Sequence, residues 1–94
     1  MTIAVSPNHI FSYAGAQVAV YHANKGEGIP KHQHAYNHAT MCNAGKCVIR
    51  VEGKEVFMTK YTQPINLVAG KWHEIEAVED ETVFVNVFAE GKNT

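Results

Sequence analysis

CVIRVEGKEVFMTKY, residues 47–61, decides the fold class. Apolar Cys47, Ile49 and Val51 alternate with neighbours of mixed polarity, and β-branched and aromatic residues fill both halves. A period of two belongs to a strand with one buried face, so strands are expected at 47–52 (CVIRVE) and 56–61 (VFMTKY). Gly53-Lys54, between Glu52 and Glu55, reads as a tight hairpin turn joining them. The same period recurs at 17–22 (QVAVYH), 65–68 (INLV) and 82–89 (TVFVNVFA), each bounded by Gly, Asn or Pro.

Between these segments, Asn43-Ala44-Gly45 reads as a second tight turn, and 24–30 and 68–71 as loops. HEIEAVEDE (73–81) admits a helix, but its alternation suits a strand equally. Short strands with turn signals roughly every 8–12 residues predict an all-β fold: a small jelly roll of two antiparallel sheets. No repeat, linker or low-complexity tract divides the chain, so a single domain over 1–94 is expected.

Composition narrows the partners. A formal charge of −1 leaves no basic excess with which to neutralise a phosphate backbone, so nucleic acid is not expected. Neither a run of about 18 apolar residues nor a signal-like N-terminus is present, which predicts a soluble, cytoplasmic protein without membrane contact. Cys42 and Cys47 are too few for a disulfide framework and are expected as thiols, able to pair only if they face each other across the 43–46 turn.

Chemistry concentrates in GEGIPKHQHAYNHATMCNAG (26–45), which holds three of the six histidines. On a strand, residues two apart share a face with about 6.5 Å between Cα atoms, so His32 and His34 can converge on one ion. Continued straight, the strand would carry His38 about 13 Å past His34, so the chain must turn at Ala35-Tyr36-Asn37 for His38 to join. Imidazole suits Zn, Cu, Fe and Ni, and without a C-x-x-C pair the cluster reads as an open site rather than a structural zinc knot. The spacing is G-x5-H-x-H-x3-H-x6-G from Gly26 to Gly45, and Gly70-Lys71-Trp72-His73 supplies a remote fourth histidine.

These residues resemble the cupins, whose motifs are G-x5-H-x-H-x3,4-E-x6-G and G-x5-P-x-G-x2-H-x3-N. Gly26, His32, His34 and Gly45 match the first motif (26–45). Only Gly70 and His73 match the second (62–77), with Thr62, Val68 and Ala77 in place of its Gly, Pro and Asn. The resemblance implies a double-stranded β-helix barrel with a divalent transition metal (Fe, Ni, Zn, Cu or Mn) at its mouth, held by His32, His34 and His73. His38 occupies the motif's Glu position. As a fourth ligand it would replace a carboxylate with a neutral imidazole, raising the net charge of a divalent site from about +1 to about +2 and making it a stronger Lewis acid.

Around this set, Tyr36 and Asn37 are candidate partners for an imidazole N–H or a bound molecule, and Tyr36, Phe84 and Asn86 are candidate pocket residues. Phe84, Asn86 and Phe88 share one strand face, and Val83, Val85 and Val87 the other. Trp72 should point away from His73. Met41 and Met58 are expected in the core, and Cys42 near the metal if strand parity persists after His38. His9 and His22 read as solitary, and Glu74, Glu76, Glu79, Asp80 and Glu81 as a solvated edge and loop. The expected function is a metal-binding small cupin with a small-molecule pocket, performing by resemblance dioxygenase, isomerase or lyase chemistry. The alternatives are a non-catalytic binding or sensor module and a jelly roll without metal. Sheet edges and apolar faces left open by so short a jelly roll predict a homodimer.

Overall fold

The structure, a computed structural model, describes residues 2–89. Its strands are β1 (Ile3–Ala4), β2 (His9–Tyr13), β3 (Ala16–Ala23), β4 (Glu27–His32), β5 (His38–Ala44), β6 (Cys47–Val51), β7 (Lys54–Met58), β8 (Ile65–Leu67), β9 (His73–Ala77) and β10 (Thr82–Ala89). They form two five-stranded sheets, ordered β1-β4-β9-β6-β7 and β2-β3-β10-β5-β8. From β3 to β6 the chain crosses between sheets at each connection, and it does so again from β7 to β10, the winding of a double-stranded β-helix. All ladders are antiparallel except the two-residue β1–β4 pair. Among the described residues no helix is long and apolar enough to cross a membrane.

The hairpin at 47–61 forms one residue earlier than expected. Val51 pairs with Lys54, so Glu52 and Gly53 are the two loop residues, both with positive φ (45° and 81°). A two-residue hairpin loop of the twist-matched type requires positive φ at both positions, which glycine adopts freely and Glu52 accepts in exchange for the ladder. The second strand therefore starts at Lys54 and ends at Met58, where the Thr59 carbonyl accepts from Thr62 N (3.0 Å) and turns the chain.

Gly45-Lys46 does not close a hairpin: β5 and β6 lie in different sheets. Cys42 consequently pairs with Phe84 in one sheet and Cys47 with Met58 and Ala77 in the other, and both are buried free thiols. The 24–30 loop is also revised, because 27–32 is strand β4. Gly28 allows β4 to approach β9 so closely that a Cβ there would collide with the Ile75 carbonyl. HEIEAVEDE resolves as strand β9 followed by a turn.

The core fills the space between the inward faces: Ile49, Met58 and Ile75 from one sheet, Cys42, Leu67 and Phe84 from the other. Met58 is fully buried, whereas Met41, of opposite parity to Cys42, lies on the outer face beside Val85. Glu74 and Glu76 are not on an edge. They project from the outer face of β9, a central strand, where Arg50 Nη1 donates to both (3.3 and 2.6 Å) and Arg50 Nε to Glu55 (2.9 Å). Only Glu79, Asp80 and Glu81 form an exposed loop.

Candidate metal centre

A register shift sets the parity of the first histidine. Ile29 pairs with Ile75 and His32 with His73, so β4 advances three residues where β9 advances two. The extra residue is a β-bulge at Pro30-Lys31, a place where proline's missing N–H takes nothing from the ladder. Without it Lys31 would face inward; with it His32 does, opposite His73. His34 lies just beyond the strand, and the chain bends at Ala35-Tyr36 so that His38 opens β5.

The second motif is stitched to the first. Gly70 N donates to the His34 carbonyl (2.8 Å) and Ala69 N to Asn37 Oδ1 (2.7 Å). Asn37 thus holds the 68–72 loop rather than an imidazole. With its amide turned to satisfy both neighbours, Gln33 donates to the Gly70 carbonyl (2.8 Å) and accepts from Trp72 Nε1 (3.3 Å). These bonds deliver His73 to the cluster while Trp72 points outward, half exposed, under the Lys31 ammonium (5.9 Å).

Each histidine of the triad is oriented by a backbone carbonyl. Nδ1 of His32, His34 and His73 contacts the carbonyls of Pro30 (2.8 Å), Tyr36 (2.8 Å) and Lys71 (3.0 Å). A carbonyl can only accept, so each Nδ1 carries the proton and each Nε2 keeps a lone pair. One ring nitrogen from each of the three lies within 4.8 Å of the others. His73 is 1% exposed, and its Nε2 is buried without a hydrogen-bond partner. An unmet buried acceptor costs about 1–3 kcal/mol, and a cation is a partner that would satisfy it. The donor set therefore fits a divalent transition metal of the imidazole-preferring kind.

His38 stands beside the triad, its ring 4.8 Å from that of His34 and 5.4 Å from that of His73. It is 5% exposed and is not among the three whose nitrogens are mutually within reach. Its Nδ1 contacts Thr40 Oγ1 (3.2 Å), which donates to Asn86 Oδ1 (2.7 Å).

Burial disfavours the protonated form of His34, His38 and His73. Desolvation first, then the neighbouring histidines, lower His38 and His73 from 6.5 to about 4, and desolvation lowers His34 as well. At neutral pH His38 and His73 have no extra proton to shed before an ion binds.

A cavity of about 220 Å³ opens beside the cluster, lined by His32, His34, His38, Tyr36, Asn86 and Tyr21 together with Ile29, Gln33 and Phe88. Tyr36 stacks on His34 (4.3 Å between centroids, 8° between planes) and gives it a carbonyl partner. Phe84, expected at the cavity, is fully buried in the core instead; Tyr21, its cross-strand partner, stacks over it (4.8 Å) and takes the lining position. Cys42 keeps the parity of His38 but lies four residues along β5, about 13 Å away, in the core. Sequence reasoning missed Tyr21 and Ile29 as lining residues, because only the pairing of β3 with β10 and of β4 with β9 brings them there. His9 and His22 are exposed and apart from the cluster.

No protein-family model matches the chain, and no curated protein does. Solved structures do. KdgF from Halomonas sp. superposes with a TM-score of 0.78 at 14% identity, over 92% of this chain and 77% of that one. A cupin-2 domain protein from Shewanella frigidimarina gives 0.74 at 15% identity, over 90% and 80%. A conserved protein with a double-stranded β-helix domain from Klebsiella pneumoniae gives 0.73 at 21%, over 95% and 81%. The chain thus has the double-stranded β-helix fold of these cupin structures, with three histidines placed so that they could hold one metal ion.

Proposed function

We propose that this protein is a metal-binding cupin, one domain over 1–94, that holds a divalent transition metal through His32, His34 and His73, with His38 as a fourth nitrogen donor, beside a pocket for a small molecule. The observation that carries the reading is the buried, partnerless Nε2 of His73 at the convergence of three carbonyl-oriented imidazoles. Four neutral donors would leave the charge of a divalent ion uncompensated, so the pocket favours small anionic or enolisable ligands, and oxygenation, isomerisation or lyase chemistry follows from the resemblance.

A second reading, a non-catalytic binding or sensor module, is favoured by the lining itself. Among the described residues no Asp, Glu or Lys lines the cavity, and Glu74 and Glu76 project from the opposite face of their sheet, paired with Arg50. That leaves Tyr21, Tyr36 and His38 as the groups able to move a proton there. Location in the cytoplasm goes with either reading and is supported by two cysteines standing as buried thiols.

Elemental analysis of purified protein tests the site. About one equivalent of a transition metal is expected, and less than about 0.1 equivalents in protein that also cannot be loaded would leave a jelly roll without metal. His38→Glu should shift metal preference towards harder ions such as Mn; unchanged identity and content would remove His38 from the ligand set.

We also propose a homodimer through the outer face of the β2-β3-β10-β5-β8 sheet. Two rows cross it, Phe11–Val18–Val87–Ala39 and His9–Val20–Val85–Met41, without a charged side chain. A two-fold interface sets one surface patch against a second copy of itself, so a charge-free face can bury itself where a face of one charge would repel. Light scattering should give twice the 10.4 kDa chain mass, reverting to one in Phe11→Lys; a monomeric parent protein would reject the interface.

A further inference from the structure

Of the four clustered histidines, three have their ring protons held by backbone carbonyls, which no side-chain substitution removes. His38 alone is held by a side chain. Its Nδ1 lies 3.2 Å from Thr40 Oγ1 and 3.5 Å from the Ala39 carbonyl, and Thr40 Oγ1 lies 2.7 Å from Asn86 Oδ1. Thr40 is fully buried and Asn86 nearly so, on β5 and β10, where the two are cross-strand partners.

Hydrogen-bond bookkeeping gives the chain a direction. A threonine hydroxyl has one proton; once donated to Asn86 Oδ1, the oxygen can only accept on its other side. Nδ1 of His38 must then be the donor, and the Ala39 carbonyl, an acceptor only, agrees. The opposite arrangement would need Asn86 to offer its amide nitrogen to Thr40 and would set the His38 proton on Nε2.

We propose that Thr40 and Asn86 are positioning residues: by passing one hydrogen bond along Asn86–Thr40–His38 they hold His38 as the Nδ1–H tautomer and keep its Nε2 lone pair for the metal centre. The role rests on the metal-binding reading above, but the tautomer does not, since it exists in metal-free protein. The pair substitutes for the carbonyl that orients each of the other three imidazoles. Asn86, which also lines the cavity, links what occupies the cavity to the orientation of a ligand.

The test is two-bond ¹H–¹⁵N correlation on metal-free protein with ¹⁵N-labelled histidine near pH 7.5, which reports the protonated nitrogen of each ring. His38 should be the Nδ1–H form by about tenfold or more over the other; an Nε2–H form or an even mixture in the unmutated protein overturns the proposal without any variant. Asn86→Ala frees the Thr40 proton to turn towards His38 and Thr40→Val removes the acceptor, so either should lower the tautomer ratio by about tenfold, while Thr40→Ser keeps it. A ratio unmoved in both overturns the relay.

Titration with Co²⁺, followed by its visible spectrum, reads the role. Thr40→Val should weaken binding by about 10–100-fold and Thr40→Ser restore it. Full-strength Co²⁺ binding by Thr40→Val overturns the positioning role while leaving the metal site standing. No Co²⁺ binding by the unmutated protein overturns the metal-binding reading and this role with it, and the tautomer measurement still decides the relay by itself.

Discussion

His73→Ala is expected to lose the metal while keeping the fold. Structural zinc sites bind with about 10–16 kcal/mol shared among four ligands, so one imidazole accounts for about 3–4 kcal/mol, an affinity loss of several hundredfold. His73 should lie at the upper end, because it faces His32 across the ladder and arrives from the other motif. In metal-free protein the same change has two opposed effects. Emptying a fully buried site costs about 2–4 kcal/mol, and deleting an unsatisfied buried acceptor returns about 1–3 kcal/mol. The net change in metal-free stability should therefore be small.

Added metal separates the two proteins. An ion at a hundred times its dissociation constant stabilises the folded state by about 2.7 kcal/mol, so the melting temperature of the unmutated protein should rise with Co²⁺ or Ni²⁺ and that of His73→Ala should not. Isothermal titration and thermal melts measure both quantities. Retention of metal by His73→Ala with unchanged stoichiometry and affinity would exclude His73 as a ligand.

The parts legible in the sequence were those in which one local signal acts alone. Strands 17–22, 47–52 and 82–89 agree with β3, β6 and β10 to within a residue, because one buried face imposes a clean period of two. Strand β2, HIFSY, carries no such signal, since all five residues are exposed on an edge. Strand β4 was hidden by Gly28 and Pro30, which read as turn residues. In the structure the glycine permits the close approach of β9 and the proline sits in the bulge.

The site divides in the same way. The spacing of His32, His34 and His73 marked them, and the bend at Ala35-Tyr36 followed from strand geometry. Parity did not: an uninterrupted β4 would turn His32 outward, and only the register with β9 shows the bulge that turns it in. Thr40 and Asn86 are 46 residues apart, and nothing local couples them.

Acid should destabilise the metal-free protein before it protonates the carboxylates that matter. His38 and His73 titrate at about 4 when folded and near 6.5 when unfolded. Above pH 6.5 both states are neutral, and stability does not depend on either group. Between about 6.5 and 4 the unfolded chain binds protons that the folded chain refuses, so stability falls as pH falls, by about 3 kcal/mol for each group treated alone. The two rings are 5.4 Å apart, so the losses overlap, and opening the site to water reduces them further.

Even a combined loss of about 4 kcal/mol is a large share of the 5–15 kcal/mol that holds a typical domain together. Glu74 acts in a lower window: Thr2, then Arg50, hold its carboxyl below the ordinary value, so its contribution is present above about 4.5 and is lost only below that. Urea midpoints from pH 7.5 to 4.5 should therefore drop steeply before the carboxylates titrate, with His38→Asn removing about half of the slope. Bound metal should move the drop to lower pH, because the ion competes with protons for the same lone pairs. A urea midpoint unchanged between pH 7 and 5 would mean that the imidazoles gain protons in the folded protein as easily as in water, and that the cluster is not the dry, neutral donor set on which metal binding depends.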